Sequence, residues 1–176
     1  QAGAFPGSPV MNACLCSFSP YDVPNQRAVG YDVVSNRPKA AAYRAPGSPI
    51  SSFAVESVLD MCAQKIGMDP LAIRQKNACR IGTPTLSGPK HAHAGYLETV
   101  EALMKHPGYG VKLGPNQGRG VASGYWFNGG GESSATLQLN ADGTVLIATG
   151  SPDIGGSRAS MAIMAAETLG VDYGQV

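Results

Sequence analysis

Residues 51–70 read SSFAVESVLDMCAQKIGMDP, and this stretch decides how the neighbouring sequence must fold. Its apolar side chains recur mostly every three or four residues, which predicts a helix that begins after Ser52. Glu56 would support the start of this helix through the positive end of the helix dipole. Gly67 is typical of the residue that ends a helix.

A second helix is predicted to follow at once. Asp69 is a favoured N-cap, and Pro70 suits the first helical position because its fixed φ is already helical. The pattern carries this helix to about Asn77. A third helix is predicted over residues 96–105, whose apolar side chains share one face.

The sequence before these helices is less regular. Residues 10–16 are apolar and follow a proline, which is compatible with a first helical turn. Residues 29–33 carry apolar side chains at every second position, which predicts a strand. The proline and glycine residues that close residues 40–49 argue against a long helix there.

The last third of the chain has the patterns of strands. Residues 120–127 predict one strand, and residues 135–140 and 144–149 predict two more. Asp142-Gly143 between the last two is a signal for a two-residue hairpin.

An apolar helix over residues 159–169, ended by Gly170, completes the predicted order of elements. Helices and strands that occupy separate parts of the chain indicate the α+β fold class. A polar connector rich in Gly and Pro at residues 112–118 predicts a domain boundary, and we divide the chain into residues 1–110 and 111–176.

Composition restricts the partners of the protein. The net charge is +1 and basic residues are scattered, so neither nucleic acid nor an anionic membrane is an expected partner. No apolar stretch approaches the roughly 20 residues that a membrane span needs. Only 14% of residues are charged, against about 25% in typical domains. Either other protein covers part of the surface, or the chain is a β-rich domain with many turns.

The cysteine and histidine residues do not form a recognisable metal site. Cys14 and Cys16 lack the C-x-x-C spacing of zinc and iron–sulfur sites, and all four cysteines are predicted to be buried, reduced thiols. His91 and His93 could share a face of an extended segment. A metal site needs three or four converging ligands, however, and no metal ligand is predicted here.

The loop at residues 149–158 is the first candidate for a binding site. It lies between a predicted strand and a predicted helix, where glycines and free N–H groups can approach an anion. Ser157 could cap the helix, and Arg158 would oppose the helix dipole unless an anion compensates for it. The alternative is an ordinary tight turn in which Asp153 pairs with Arg158. The residues alone leave both open.

The loop at residues 42–49 is the second candidate. Pro46 and Pro49 restrict the backbone beside Arg44, which suits a site that presents main-chain groups accurately. The alternative is a solvated Arg in a surface connector. Neither loop offers a nucleophile with its base or a suggestive pair of carboxylates, so no catalytic residue is predicted.

At these loops the chain resembles the large subunit of molybdenum hydroxylases, the family of xanthine dehydrogenase and aldehyde oxidase. Three groups of residues carry the resemblance in the order and spacing of the family. They are residues 21–25, 33–36 and 42–49; Glu56, Asp60, Ala63, residues 67–70, Arg74 and Asn77; and residues 118–122, 142–145, 149–150 and 165–171.

The resemblance implies parts of two molybdopterin-binding domains, built of mixed sheets with packed helices. Residues 1–110 would be the C-terminal part of the first domain with connecting helices, and residues 111–176 the N-terminal part of the second. The implied cofactor is molybdopterin, often in its cytosine dinucleotide form, for hydroxylation of an aldehyde or N-heterocyclic or aromatic substrate with oxygen from water. The implied partners are the rest of the large subunit, 2Fe-2S and FAD subunits or domains, and a small organic substrate, in the cytoplasm.

The resemblance also implies roles for single residues. Main-chain groups of the first loop would approach molybdenum and pterin, and the second loop would contact the pterin. The positions that match the cofactor site are Arg44, Ala45, Gly155, Gly156, Ser157 and Arg158, and those that match the substrate pocket are Asn12 and Pro46.

The chain departs from the family at several positions. The family's E-x-G-Q-G loop here ends in Ser157, so the contact of that Gln is absent or replaced by backbone. Asn12 argues against xanthine as the substrate, and Ala45 argues against carbon monoxide chemistry. The general-base Glu belongs to a segment outside these residues. We therefore interpret the chain as an internal piece of a larger subunit, inactive by itself; the alternative is a non-catalytic binding or scaffold module of the same fold that pairs with partner subunits.

Overall fold

The computed structural model describes residues 9–38, 43–127 and 131–176. Its contacts divide the chain into two compact units, Gln1–Phe127 and Asn128–Val176. The predicted boundary between cofactor-binding domains, after residue 110, falls inside the first unit. A compact unit and a cofactor-binding domain are different divisions of a chain, so that boundary stays a prediction.

Two helices frame the first unit: α1, Val10–Cys16, and α2, Ser48–Lys65. α2 begins at Ser48, five residues before the predicted start at Phe53, because Gly47 with a φ of 92° turns the chain and Pro49 fits the first helical turn. Gly67, at a φ of 64°, ends α2 in a Schellman motif of two amide-to-carbonyl hydrogen bonds. The predicted end of this helix is confirmed.

The next two helices agree with the sequence patterns. α3 is Pro70–Lys76, and one carboxylate oxygen of Asp69 accepts from the amides of Leu71 and Ala72 at 2.8 and 3.1 Å. That contact satisfies two N–H groups that have no partner inside the helix. α4 is Tyr96–Lys105, as predicted.

The predictions of two strands in the first unit are wrong. Residues 29–33 and 120–127 form no ladder with any residue in the described ranges. A strand needs a neighbour to pair its backbone groups, and alternation of side chains does not reveal whether a neighbour exists. Residues 29–33 instead lie exposed, and residues 120–127 are held by hydrogen bonds to α2.

The core of the first unit lies where α2, α3 and α4 meet. An isolated antiparallel bridge between Tyr21 and Ala78 ties the segment after α1 to the end of α3. Around it the buried apolar side chains are Cys16, Tyr21, Ala63, Leu71, Ile73, Ala78, Cys79 and Val100. None of the helices in the described ranges is long and apolar enough to cross a membrane.

The second unit is built on one hairpin. β1, Ala135–Leu139, pairs antiparallel with β2, Val145–Thr149, so that Leu139 lies opposite Val145. The amide of Asn140 still donates to the carbonyl of Thr144 at 2.8 Å beyond the strand ends, so the loop is the three residues 141–143 rather than the predicted two-residue turn. Gly143 lies at its last position with a φ of 83°, the left-handed residue that such loops require.

A helix and a short 3-10 turn complete the second unit. α5 is Ser157–Leu169, and Gly170 ends it at a φ of 68°, as predicted. The 3-10 turn, Tyr173–Gln175, follows, and the Gln175 side chain donates to the carbonyl of Gly143 at 3.2 Å. Helices with a small antiparallel sheet confirm the α+β class.

Candidate functional site

The turn at residues 43–47 has an unusual backbone. Arg44 and Ala45 have φ of 23° and 55°, and Gly47 follows at 92°. Residues with a β-carbon rarely adopt positive φ, and such conformations persist only where the surroundings enforce them. The turn therefore carries strain in its main chain at two of the predicted cofactor residues.

The surroundings of Gly47 explain how this turn is held. A β-carbon at Gly47 would lie 2.4 Å from the carbonyl oxygen of Pro9 and 2.6 Å from the amide nitrogen of Ala13, so only glycine fits. The amide of Ser48 donates to the carbonyl of Ala45 at 3.0 Å, which closes the turn. The turn is thus held by its packing against α1 and by its hydrogen bond to the first residue of α2.

The same packing brings a predicted pocket residue close to the turn. Asn12 lies on α1 next to Ala13, whose backbone Gly47 contacts. Asn12 is 9% exposed, and its side-chain amide makes no hydrogen bond to any described residue. A side-chain amide beside the turn could donate to or accept from a bound ligand. Pro46 lies half-buried within the turn itself.

The loop before α5 is the second candidate. Gly155 and Gly156 have φ of 66° and 82°, and a β-carbon at Gly156 would meet no atom within 4 Å. Within the described residues, the amides of Gly155, Gly156 and Ser157 have no acceptor. The loop thus presents main-chain N–H groups to open space at the positive end of a helix.

The details of this loop differ from the sequence-based interpretation. Gly156, and not Ser157, is the N-cap of α5. The Asp153 carboxylate accepts from the amide of Arg158 at 3.2 Å, and within the described residues it forms no ion pair with that side chain. In the alternative interpretation Asp153 pairs with Arg158, and the structure has this contact only to the backbone amide. Arg158 is also one of the residues that line a cleft of about 370 Å³ beside β2.

A buried polar cluster in the first unit was not predicted. The Glu56 carboxylate accepts from Arg74 Nε at 2.9 Å, from the amide of Ser123 at 2.8 Å and from the hydroxyl of Tyr21. Arg74 is fully buried, and it also pairs with Asp60 at 2.8 Å. We call Glu56, Arg74, Asp60, Tyr21 and Ser123 the Glu56 cluster. The expected role of Glu56 at the helix dipole is wrong, because its side chain is buried at the middle of α2.

The Glu56 cluster shifts the pKa values of two of its members, Tyr21 and Arg74. Burial raises the pKa of Tyr21, and the hydrogen bond to the Glu56 carboxylate raises this pKa further. Burial alone would lower the pKa of Arg74, but the carboxylates of Asp60 and Glu56 outweigh burial and raise it. Tyr21 therefore remains a neutral donor and Arg74 remains charged around neutral pH. A signal was available, because Glu56 and Asp60 lie four residues apart on one helix and Arg74 directly follows the apolar residues 71–73 of the next helix.

The cysteine and histidine residues take structural positions. Cys16 and Cys79 are buried as predicted, and burial raises the pKa of both thiols. Cys14 is only half-buried and Cys62 is exposed, so the predicted burial of all four cysteines is wrong. His91 contacts the carbonyl of Ser19 at 3.1 Å and lies edge-on to the ring of Tyr125. Among the described residues, no group of three His, Cys, Asp or Glu side chains could hold a metal ion.

Family models described as molybdopterin cofactor-binding domains match residues 1–78 and residues 99–176. The chain belongs to the molybdenum hydroxylase family. The resemblance inferred from the sequence is thereby confirmed, and each matched stretch contains one of the two candidate loops. The turn at residues 43–47 lies in the first match, and the loop at residues 149–158 lies in the second.

Individual molybdenum hydroxylases are similar over most of the chain. The aldehyde oxidoreductase of Megalodesulfovibrio gigas is 35% identical over 147 residues, which cover 77% of the chain and 16% of that protein. The xanthine dehydrogenase molybdenum-binding subunit of Escherichia coli O157:H7 is 36% identical over 157 residues, which cover 81% of the chain and 21% of that protein.

A solved structure of the family shares the fold. The crystal structure of the aldehyde oxidoreductase from Desulfovibrio desulfuricans matches 95% of the chain with a TM-score of 0.69 and 28% identity. The match covers 20% of that protein. The chain thus spans about a fifth of the length of the molybdenum hydroxylases that it matches.

Proposed function

We propose that the chain holds part of the molybdopterin cofactor in a molybdenum hydroxylase that hydroxylates an aldehyde or an N-heterocyclic or aromatic substrate with oxygen from water. One observation carries this proposal. Each of the two stretches that match a molybdopterin-binding domain contains a loop with consecutive left-handed residues, Arg44 and Ala45 in one and Gly155 and Gly156 in the other.

The chemistry of these loops fits such a cofactor. Molybdopterin carries a phosphate and polar ring edges, which accept hydrogen bonds from main-chain N–H groups. The amides of Gly155, Gly156 and Ser157 offer such donors, and Arg158 adds a charge that no carboxylate in the described ranges neutralises. In the turn at residues 43–47, Arg44 and Ala45 would present main-chain groups to the cofactor.

The remaining assignments complete the proposal. Asn12 and Pro46 would line the substrate pocket beside the turn. The bound cofactor would supply the oxygen transfer and accept two electrons, and 2Fe-2S and FAD groups on partner subunits or domains would carry these electrons away. The cytosine dinucleotide form belongs to the proposal, as does assembly in the cytoplasm, where four free thiols remain reduced. No described residue is assigned as the general base.

The test is metal and pterin analysis of the native protein that carries this chain. We expect molybdenum and pterin in equal amounts. A matured complex without either would contradict the proposal, and it would favour the non-catalytic binding or scaffold module.

A pair of variants tests the loop itself. Gly156→Asp places a carboxylate where the loop would meet the cofactor phosphate, and Gly170→Asp places the same residue at the same kind of positive φ at the other end of α5. We expect about tenfold less bound pterin for Gly156→Asp and little change for Gly170→Asp, since a misplaced charge costs on the order of 1–2 kcal/mol. The stability of α5 should be higher in Gly156→Asp than in Gly170→Asp, because an acidic residue is favourable at the start of a helix and unfavourable at its end.

A further inference from the structure

We propose that Ser48 is the positioning residue for the cofactor-binding turn at residues 43–47. The inference rests on the proposed function, because it takes the turn to be a contact of the cofactor. Its content goes beyond that function, since Ser48 would act through Ala45 and would not touch the cofactor.

Ser48 joins the turn to a segment that is distant in the sequence. Its amide donates to the carbonyl of Ala45 at 3.0 Å, and its hydroxyl donates to the carbonyl of Tyr125 at 2.6 Å. The residue is buried, with 6% exposure. A single side chain thus fixes the left-handed end of the turn against a residue 77 positions away.

The far side of this contact is itself held firmly. Two residues before Tyr125, the amide of Ser123 donates to Glu56 at 2.8 Å, which ties the segment to the middle of α2. The ring of Tyr125 lies edge-on to His91, with 6.0 Å between ring centroids. The segment at residues 123–125 is therefore a rigid support, and the hydroxyl of Ser48 transmits its position to the start of α2.

The turn needs such a support because its backbone is not relaxed. Arg44 and Ala45 have positive φ angles. Residues with a β-carbon keep such angles only where neighbouring groups enforce them. Gly47 packs against α1, and the next residue, Ser48, bonds back to the carbonyl of Ala45 and across to Tyr125. Without the Ser48 hydroxyl, the start of α2 can shift relative to residues 123–125. Displacements of about 1 Å at supporting residues are enough to cost roughly 10–100-fold in cofactor affinity or activity.

The experiment compares variants of the native protein that carries this chain. Ser48→Ala removes the hydroxyl, and Ser48→Thr retains it. Ser57→Ala removes a hydroxyl of the same helix that donates to the carbonyl of Phe53 at 2.6 Å on the exposed side. Thr83→Ala removes a buried hydroxyl that accepts from the amide of Arg80 at 3.0 Å, away from the turn. Pterin and molybdenum per protein, melting temperature and kcat against KM are measured for each.

We expect Ser48→Ala to bind about tenfold less pterin, with partial recovery in Ser48→Thr, while Ser57→Ala and Thr83→Ala retain the wild-type content. In the loaded fraction of Ser48→Ala, kcat should fall and KM should rise, because the turn carries both the cofactor contacts of Arg44 and Ala45 and the pocket residue Pro46. Wild-type pterin content in Ser48→Ala would overturn the inference. So would a loss of pterin in Thr83→Ala in proportion to its fall in melting temperature, because pterin content would then follow stability alone. A wild-type protein without pterin would instead contradict the proposed function, so the two failures are distinguishable.

Discussion

The two compact units bury their side chains in different ways. In the described part of the first unit, a fully buried arginine and its partner Glu56 lie among eight buried apolar residues, and the Glu56 cluster connects α2, α3 and the segment at residues 120–127. In the described part of the second unit, only Val145 and Ala166 are buried apolar residues. The first unit thus has an interior of its own, and the second is a hairpin and a helix with little interior.

This difference shows where each unit obtains its stability. Buried charges require complete pairing, so the first unit is specified by a few contacts that cannot be replaced singly. The second unit leaves most of its large apolar side chains in solvent, among them Leu137, Leu139, Leu146, Ile163 and Met164. Because a two-stranded sheet is marginally stable alone, the second unit should depend more strongly on protein outside these residues.

The largest expected effect comes from opening the Glu56 cluster. Arg74→Met leaves the carboxylate of Glu56 buried without its cation, which should destabilise the first unit by about 3–5 kcal/mol. Lys76→Met on the same helix, at an exposed position, should change stability by less than about 0.5 kcal/mol. Hydrogen exchange of the native protein should show faster exchange in α2 and α3 for Arg74→Met, with β1 and β2 unchanged.

The double variant Arg74→Met, Glu56→Leu is the decisive control for this prediction. Removing both charges should recover part of the loss, because no unpaired ion then remains in the interior. Equal exchange in Arg74→Met and Lys76→Met would show that the cluster does not stabilise the first unit.

The second largest effect concerns glycine at positive φ. Gly47→Ala introduces a β-carbon into a site where the nearest atom lies 2.4 Å away, and we expect a loss of about 3 kcal/mol from strain and overpacking. Gly67→Ala shares the positive φ but meets open space, so about 1 kcal/mol is expected. Thermal unfolding of the native protein and its pterin content measure both variants. Similar losses of stability in Gly47→Ala and Gly67→Ala would mean that α1 moves to accommodate the added β-carbon at position 47.

A matched pair of valines compares the two interiors directly. Val100 in α4 and Val145 in β2 are both 4% exposed. Val100→Ala should cost about 2 kcal/mol, and Val145→Ala about 1 kcal/mol, because a cavity in a sparse interior collapses or fills more easily. Local exchange near each site is the measurement. A larger loss at Val145 would indicate that the hairpin has a firmer core than its exposure suggests.

Most helices could be predicted from the sequence because their signals are local. The cap at Asp69, the proline at position 70 and the glycines that end α2 and α5 act within one turn, and each lies where the sequence predicts it. The strands at residues 29–33 and 120–127 were wrong because pairing depends on distant chain, which alternation of side chains does not encode. The two strands of the hairpin were predicted correctly because they are adjacent in the sequence.

The candidate site could be predicted only as two loops. Their glycine and proline residues indicate unusual backbone, but the positive φ of Arg44 and Ala45 has no local signal. The turn is held where Gly47 packs against α1 and the Ser48 hydroxyl bonds to Tyr125, and both contacts join elements that are separate in the sequence. The Glu56 cluster was missed for the same reason, since Glu56 and Arg74 lie 18 residues apart and their burial depends on the packing of α2 against α3.

The smallest expected effect is a dependence on pH that differs between the units. Burial alone would raise the pKa of Asp69, but hydrogen bonds from Tyr109, Ala72 and Leu71 and the charge of Arg74 outweigh it, so the pKa is lowered. In the second unit, hydrogen bonds from the side chain and then the amide of Thr144 lower the pKa of Asp142. Both carboxylates are exposed, so solvent screens both effects.

A lowered pKa in the folded state means that the contribution of the carboxylate is present above the unfolded value of about 3.9 and is lost as pH falls through the folded pKa. Protonation of Asp69 removes the cap of α3, so amide exchange in α3 should accelerate below about pH 4 after correction for intrinsic rates. Protonation of Asp142 loosens only the hairpin turn. Tyr109→Phe, which deletes the 2.7 Å hydrogen bond to Asp69, should raise the pKa of Asp69 and leave that of Asp142 unchanged. Carboxyl chemical shifts give both midpoints, and an Asp69 midpoint that Tyr109→Phe does not move would show that the helix amides alone hold this carboxylate ionised.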